Sequence, residues 1–218
     1  MSQGFTDSVI PITLTTEVTG TLPVANGGTG VATVASNNLL TGNGTSALVA
    51  ESTLTYDGTT LTLGSGQIAF PATQAASSGA NTLDDYEEGT WTPVIGGAGG
   101  TSGQTYAVQT GTYIKTGKQV VVWFRTEFSA KGTITGALQL QGLPFTIEDV
   151  VSQRAFMPFW YEALAVNWIL VGAILVPNTT APSFYGSSAA GTSLATLATA
   201  DVGNATGFTG SLSYRATA

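Results

Sequence analysis

The chain has 218 residues, of which 9% are charged and 28 are glycine, with no histidine and no cysteine. Those absences exclude a disulfide framework, thiol or imidazole nucleophiles and Cys/His metal centres. A net charge of −7 without any basic run repels phosphate backbones, so nucleic acid is not an expected partner.

The charged fraction is too low for a solvated disordered chain, which needs high charge and low hydrophobicity. Abundant Gly, Thr and Val suit β-structure with tight turns. The N-terminal part has few large side chains. It lacks the bulk for a core of its own, and burial against other copies is the expected remedy.

In chain order, MSQGFTDSVIPITL lacks the positive segment and apolar run of a secretion signal, so the product is expected to stay in the cytoplasm until lysis. From Ile10 to Thr16 the pattern approaches alternation, which predicts a strand. A terminal strand can complete another protein's sheet by strand addition; a frayed end is the competing reading. In residues 18–30, Pro23 forbids a helix interior and Asn26-Gly27-Gly28 marks a turn. The glycines are not a phosphate loop, because Val31 stands where Lys would follow.

Residues 31–70 read as short strands cut by turns at Asn43-Gly44 and Asp57-Gly58. Around the second, Leu54 and Tyr56 alternate with Thr, as do Leu61 and Leu63. Each strand offers one apolar and one threonine stripe. A lone hairpin of this size is marginal in water, and several copies around an axis would bury the leucines together. Residues 71–82 are small and polar, a linker by composition.

Asn81 to Pro93, NTLDDYEEGTWTP, gathers Asp84, Asp85, Glu87 and Glu88, four of the thirteen acids. Thr82 or Asp84 is expected to cap one helical turn that Gly89 ends. The rest is a solvated collar. Calcium is the other reading of the acids, but the spacing of a calcium loop is absent.

The other three tryptophans and all six basic residues follow. Eight strands are predicted over 91–95, 105–116, 119–129, 133–140, 154–163, 168–176, 181–185 and 208–215. That number fits a jelly-roll-like sandwich. In 119–129, Val120, Val122, Phe124 and Phe128 face one way and Val121, Trp123, Arg125 and Glu127 the other. Residues 154–163 are apolar on both faces, with Phe156, Pro158 and Trp160 against Met157, Phe159 and Tyr161. The outward side is expected to meet a second subunit. Ala163 to Val176 is too short to span a bilayer and reads as two strands about a turn, so no membrane insertion is expected. Tyr185 is read as loop-like, and Ser187 to Asn204 as a long polar recognition loop. Trp160, Tyr161, Trp168 and Tyr185 have a sugar-stacking reading beside the plainer one of core or interface.

TGTLPVANGGTG at 19–30 resembles a segment common in bacteriophage tail fibres. NTLDDYEEGTWTP resembles the entry to a C-terminal β-domain of phage appendage proteins, and YIKTGKQV and GSLSYR resemble that domain's start and end. The resemblance covers residues 18–218. It implies a homotrimer attached to the virion through its N-terminus, with a distal head that meets the host.

The resulting expectation is an all-β homotrimer, an extended intertwined β shaft followed by a jelly-roll-like β-sandwich head. It comprises a docking segment at 1–20, the shaft at 21–80, an acidic joint at 81–90 and the head at 91–218. Docking to the phage tail or baseplate falls to Phe5, Val9, Ile10, Ile12 and Leu14. Trimer packing falls to Leu54, Tyr56, Leu61, Leu63, Phe156 and Trp160. Contact with a host cell-surface glycan or protein falls to Tyr185, Ser187, Ser188, Thr192 and Asn204. No catalytic, cofactor or metal residues are expected. The place of action is the virion, after assembly in the host cytoplasm. The alternatives are a head fibre or baseplate part without receptor binding and, behind it, a polysaccharide depolymerase. The last would need paired carboxylates across a sugar, and such enzymes tend to be β-helices longer than this head.

Overall fold

The computed structural model describes residues 20–73, 77, 79, 81–150 and 155–217. The class is all-β: among the described residues there is no α-helix, only short 3-10 turns such as Val24–Asn26 and Thr199–Asp201. Two compact units meet in sequence between Ala69 and Phe70.

The first unit is a three-stranded antiparallel sheet of β1 (Asn38–Thr41), β2 (Val49–Tyr56) and β3 (Leu61–Leu63), in that order. Turn chemistry sets its register. The Asp57 carboxylate accepts from the backbone N–H of Thr59 at 2.8 Å and of Thr60 at 2.7 Å, and Gly58 takes φ +96°, which L side chains rarely adopt. Leu54 therefore pairs with Leu63 and Tyr56 with Leu61, which places all four on one face. That face stays open. No described residue from 20 to 69 is buried, and Leu61 is 56% and Tyr56 50% exposed.

The second unit begins with β4 (Tyr86–Trp91), β5 (Val94–Gly97), β6 (Gly100–Ser102), β7 (Thr105–Thr116), β8 (Gln119–Ala130), β9 (Thr133–Thr135) and β10 (Leu138–Gln141). It continues with β11 (Phe156–Pro158), β12 (Trp160–Leu164), β13 (Leu170–Ile174), β14 (Ser183–Ser187), β15 (Ala195–Thr196) and β16 (Val202–Arg215). One sheet runs β12-β16-β8-β7-β4. The other runs β11-β13-β14-β10-β5 with β15 beside β14, and β6 pairs with β9. The two main sheets pack face to face, and Phe184 of β14 stacks edge-on against Phe208 of β16 at 5.0 Å. Two chain segments change sheet. After β4 the chain passes Pro93, which has no N–H for the ladder, and joins the other sheet as β5. At the opposite edge β11 leads through Phe159 into β12.

Across the inner face of the five-stranded sheet runs a row of alternating size. Trp91 pairs with Gly111, Gly111 with Phe124 and Phe124 with Gly210. A Cβ at Gly111 would lie 2.5 Å from the Trp91 indole nitrogen, and one at Gly210 would lie 2.3 Å from Phe159 Cβ. The glycines make room for three large rings, with Trp91–Phe124 centroids at 6.4 Å and Phe124–Phe159 at 5.7 Å. Large beside small lets facing layers interdigitate at native density.

Three expectations need correction. The helical turn at the acidic cluster is absent: Tyr86–Trp91 is a strand paired along its whole length with β7. Six ladder positions outweigh one local cap. Tyr185 lies inside β14, not in a loop, paired with Gly172 and Thr196. The expected loop from Ser187 to Asn204 is interrupted by β15 and by the start of β16, and it carries Leu197, which is fully buried.

Candidate functional site

The residues of the sequence reading are scattered over the molecule. Phe5, Val9, Ile10, Ile12 and Leu14 lie outside the described residues. Leu54, Tyr56, Leu61 and Leu63 share the open face of the first unit, Leu54 half-buried and the others exposed.

Phe156 and Trp160 point outward from opposite faces of the sandwich, because the chain changes sheet between them. Trp160 projects from β12 on the outside of the five-stranded sheet and is 61% exposed. Phe156 belongs to the outside of the six-stranded sheet, where its ring covers Gly172. Gly172 pairs with Tyr185, so Phe156 and Tyr185 share that face. Ser187 and Thr192 close a tight turn on themselves: their hydroxyls lie 2.8 Å apart, and each donates to the Ala189 carbonyl at 2.7 Å. Ser188 beside them is exposed. Asn204 is exposed, and its side-chain oxygen accepts from the Lys131 backbone N–H at 2.9 Å.

The outer face of the five-stranded sheet carries two exposed tryptophans, Trp123 and Trp160. Register puts Trp160, Thr209, Arg125 and Thr110 in one row and Ser211, Trp123, Thr112 and Thr90 in the next. A hollow of about 440 Å³ lies over Thr110, Thr112, Arg125, Thr209 and Ser211 beside Trp123. A second hollow of about 430 Å³ adjoins it on the other side of Trp123, over Glu88, Thr90 and Ile114. Arg125 reaches Glu127 at 3.5 Å, so the platform carries little net charge there. Exposed rings set among short hydroxyl side chains can stack on an apolar ligand face and hydrogen-bond its rim.

Sequence reasoning missed the second arrangement. Asp85 is buried and ion-paired with buried Lys115, whose Nζ lies 5.4 Å from the centre of the Phe145 ring. Glu87 stands opposite Lys115 in the ladder and accepts a hydrogen bond from the Tyr113 hydroxyl. Asp85, Glu87, Lys115 and Phe145 line one cleft of about 450 Å³ with Thr146 and Thr217. The acids of the cluster are thus divided by strand alternation: Asp85 and Glu87 turn in, and Glu88 turns out to accept from Tyr86 at 2.9 Å. Asp84 accepts from the Ser77 N–H at 2.7 Å. Among the described residues of one chain, no three carboxylates gather into a metal-binding group.

The Tyr113 phenol is pushed up to about 12, first by its hydrogen bond to Glu87 and then by burial. Its folded pKa exceeds the ordinary value of 10.0, so its contribution to stability is complete below pH 10 and is lost as pH rises through the folded value. Tyr113→Phe is therefore expected to flatten the fall in stability between about pH 10 and 12. Alkaline unfolding followed by tryptophan fluorescence checks this; an unchanged slope contradicts it.

Comparison with family models, curated proteins and solved structures finds no match to this chain.

Proposed function

We propose that the protein is a structural virion component, a homotrimeric phage tail fibre. Its N-terminal segment attaches to the tail or baseplate, and its C-terminal β-domain, in a jelly-roll-like arrangement, meets the host surface. One observation carries the reading most of the way. Residues 20–69 form a hydrogen-bonded sheet with an ordered apolar stripe, yet none of the described residues there is buried. An isolated three-stranded sheet without a covered face is marginal, and identical neighbours supply the cover at no cost in further sequence. The fibre-like segment at 19–30 and the entry motif at 81–93 favour three chains and a viral setting. The aromatic and hydroxyl-bearing outer face of the second unit supports recognition of a surface glycan or protein.

Leu61→Thr with Leu63→Thr tests the packing. Each leucine buried between copies contributes about 1.5–3 kcal/mol. The double variant is therefore expected to weaken self-association by more than about tenfold, read by sedimentation velocity. Association equal to wild type would refute the packing role.

Purified protein added to host cells ahead of virus is expected to reduce adsorption in proportion to dose. Undiminished adsorption, with the protein still incorporated into virions, would favour a head fibre or baseplate part without receptor binding. Release of reducing ends from host polysaccharide would favour a depolymerase. Deletion of residues 1–20 is expected to abolish incorporation.

A further inference from the structure

We propose that Lys115 and Asp85 are joined by an intramolecular isopeptide bond, a covalent cross-link between β7 and the chain entering β4. Four observations meet at this pair. The Lys115 and Asp85 side chains are ion-paired with 5% and 6% exposure. The Phe145 ring lies 5.4 Å from the Lys115 amine and covers the pair on one side. A second carboxyl, Glu87, stands directly opposite Lys115 in the ladder and lines the same cleft. Tyr113 donates to Glu87 and fixes its orientation. A buried amine, a buried carboxyl in contact with it and an adjacent proton acceptor are the parts that amide formation requires.

The step balances without a co-reactant. Within the enclosed pair one proton passes from Lys115 Nζ to the Asp85 carboxylate, which leaves a neutral amine beside a neutral acid. The Nζ lone pair attacks Asp85 Cγ. The Glu87 carboxylate takes the proton released from nitrogen and returns it to the departing oxygen. The C–O bond breaks, the C–N bond forms and one water leaves. In sum, an ammonium and a carboxylate become an amide and water, with no change of oxidation state. Fixed contact replaces an encounter between separate molecules. Conversion also removes two buried charges, whose desolvation opposes the ionic form.

The bond would serve a chain that has no cysteine and therefore no disulfide. It ties the chain entering β4 to the neighbouring β7, near the point where a pull through residues 71–82 would arrive. The inference stands apart from the fibre reading, since the pair belongs to the second unit alone.

Intact mass of the purified full-length chain under denaturing conditions tests it, with Lys115→Met measured alongside. The wild type is expected about 18 Da, one water, below its sequence mass. Tandem fragmentation should find a branched peptide joining Asp85 and Lys115, and Lys115→Met should have its full sequence mass. A wild-type chain at full sequence mass would overturn the proposal and leave an ordinary ion pair, as would a deficit located elsewhere. Glu87→Gln is expected to retain the water in most molecules. Complete cross-linking in that variant would overturn the proton-carrying role of Glu87.

Discussion

Replacing Phe184 by alanine is expected to cost the sandwich about 3–5 kcal/mol. Phe184 is wholly buried in β14. Its ring centroid lies 4.9 Å from Phe159 and 5.0 Å from Phe208. Those partners come from different places, Phe159 from the segment that changes sheet and Phe208 from the neighbouring sheet. The space left by the ring is thus bounded by both layers. Neither layer can close it without moving the other, so the cavity term adds to the lost transfer energy. Trp160→Ala is the contrast. Its side chain is as large but stands on the outer surface, 61% exposed, and removing it from one chain should shift stability by no more than about 0.5 kcal/mol. Guanidinium unfolding at fixed protein concentration, read by tryptophan fluorescence, compares the two. A cost below about 1 kcal/mol at Phe184 would contradict the packing described.

Asp85→Ala is expected to cost a similar amount, about 3–5 kcal/mol, by a different route. The substitution removes little bulk. It leaves the Lys115 ammonium enclosed beside Phe145 without its buried counter-charge. Whether the two groups stand as an ion pair or are joined as an amide, removing the carboxyl leaves a buried lysine charge behind, and that is costly. Asp85→Leu combined with Lys115→Met removes both charges and should cost clearly less than the sum of the two single changes. Additivity of the single effects would show that the two groups are not coupled. The same unfolding measurement serves, and a loss in Asp85→Ala below about 1 kcal/mol would contradict the enclosed-charge account.

Much of the fold was legible where local chemistry decides it. The turns at Asn43-Gly44 and Asp57-Gly58 could be read because the residue that accepts positive φ stands at each: Gly44 at +60° and Gly58 at +96°. β7 and β8 could be placed because Gly117-Lys118 punctuates two alternating runs, and the inward set Val120, Val122, Phe124 and Phe128 followed from parity. The all-β class followed from the same patterns.

What was hidden depends on register between distant segments. A strand that changes sheet keeps its alternation, so nothing in residues 156–164 announces that Phe156 and Trp160 end on opposite faces. Gly203, Asn204 and Ala205 look like loop, yet they are among the first residues of β16, which opens at Val202. The Asp85–Lys115 pair joins positions 30 apart, and the match between them exists only once β4 lies beside β7. The acids there were visible as a cluster, and their division into inward and outward members was not, because a helical turn and a strand both suit the motif until a partner strand is known. The small-and-large row through Gly111 and Gly210 was hidden for the same reason. Each glycine is explained by a ring on another strand.

If identical chains complete the sheet of the first unit, the purified full-length protein at micromolar concentration has a native mass of three times the 22.2 kDa chain mass, read by native mass spectrometry. A stable, folded species of a single chain's mass, with Leu61 and Leu63 open to solvent, would contradict it.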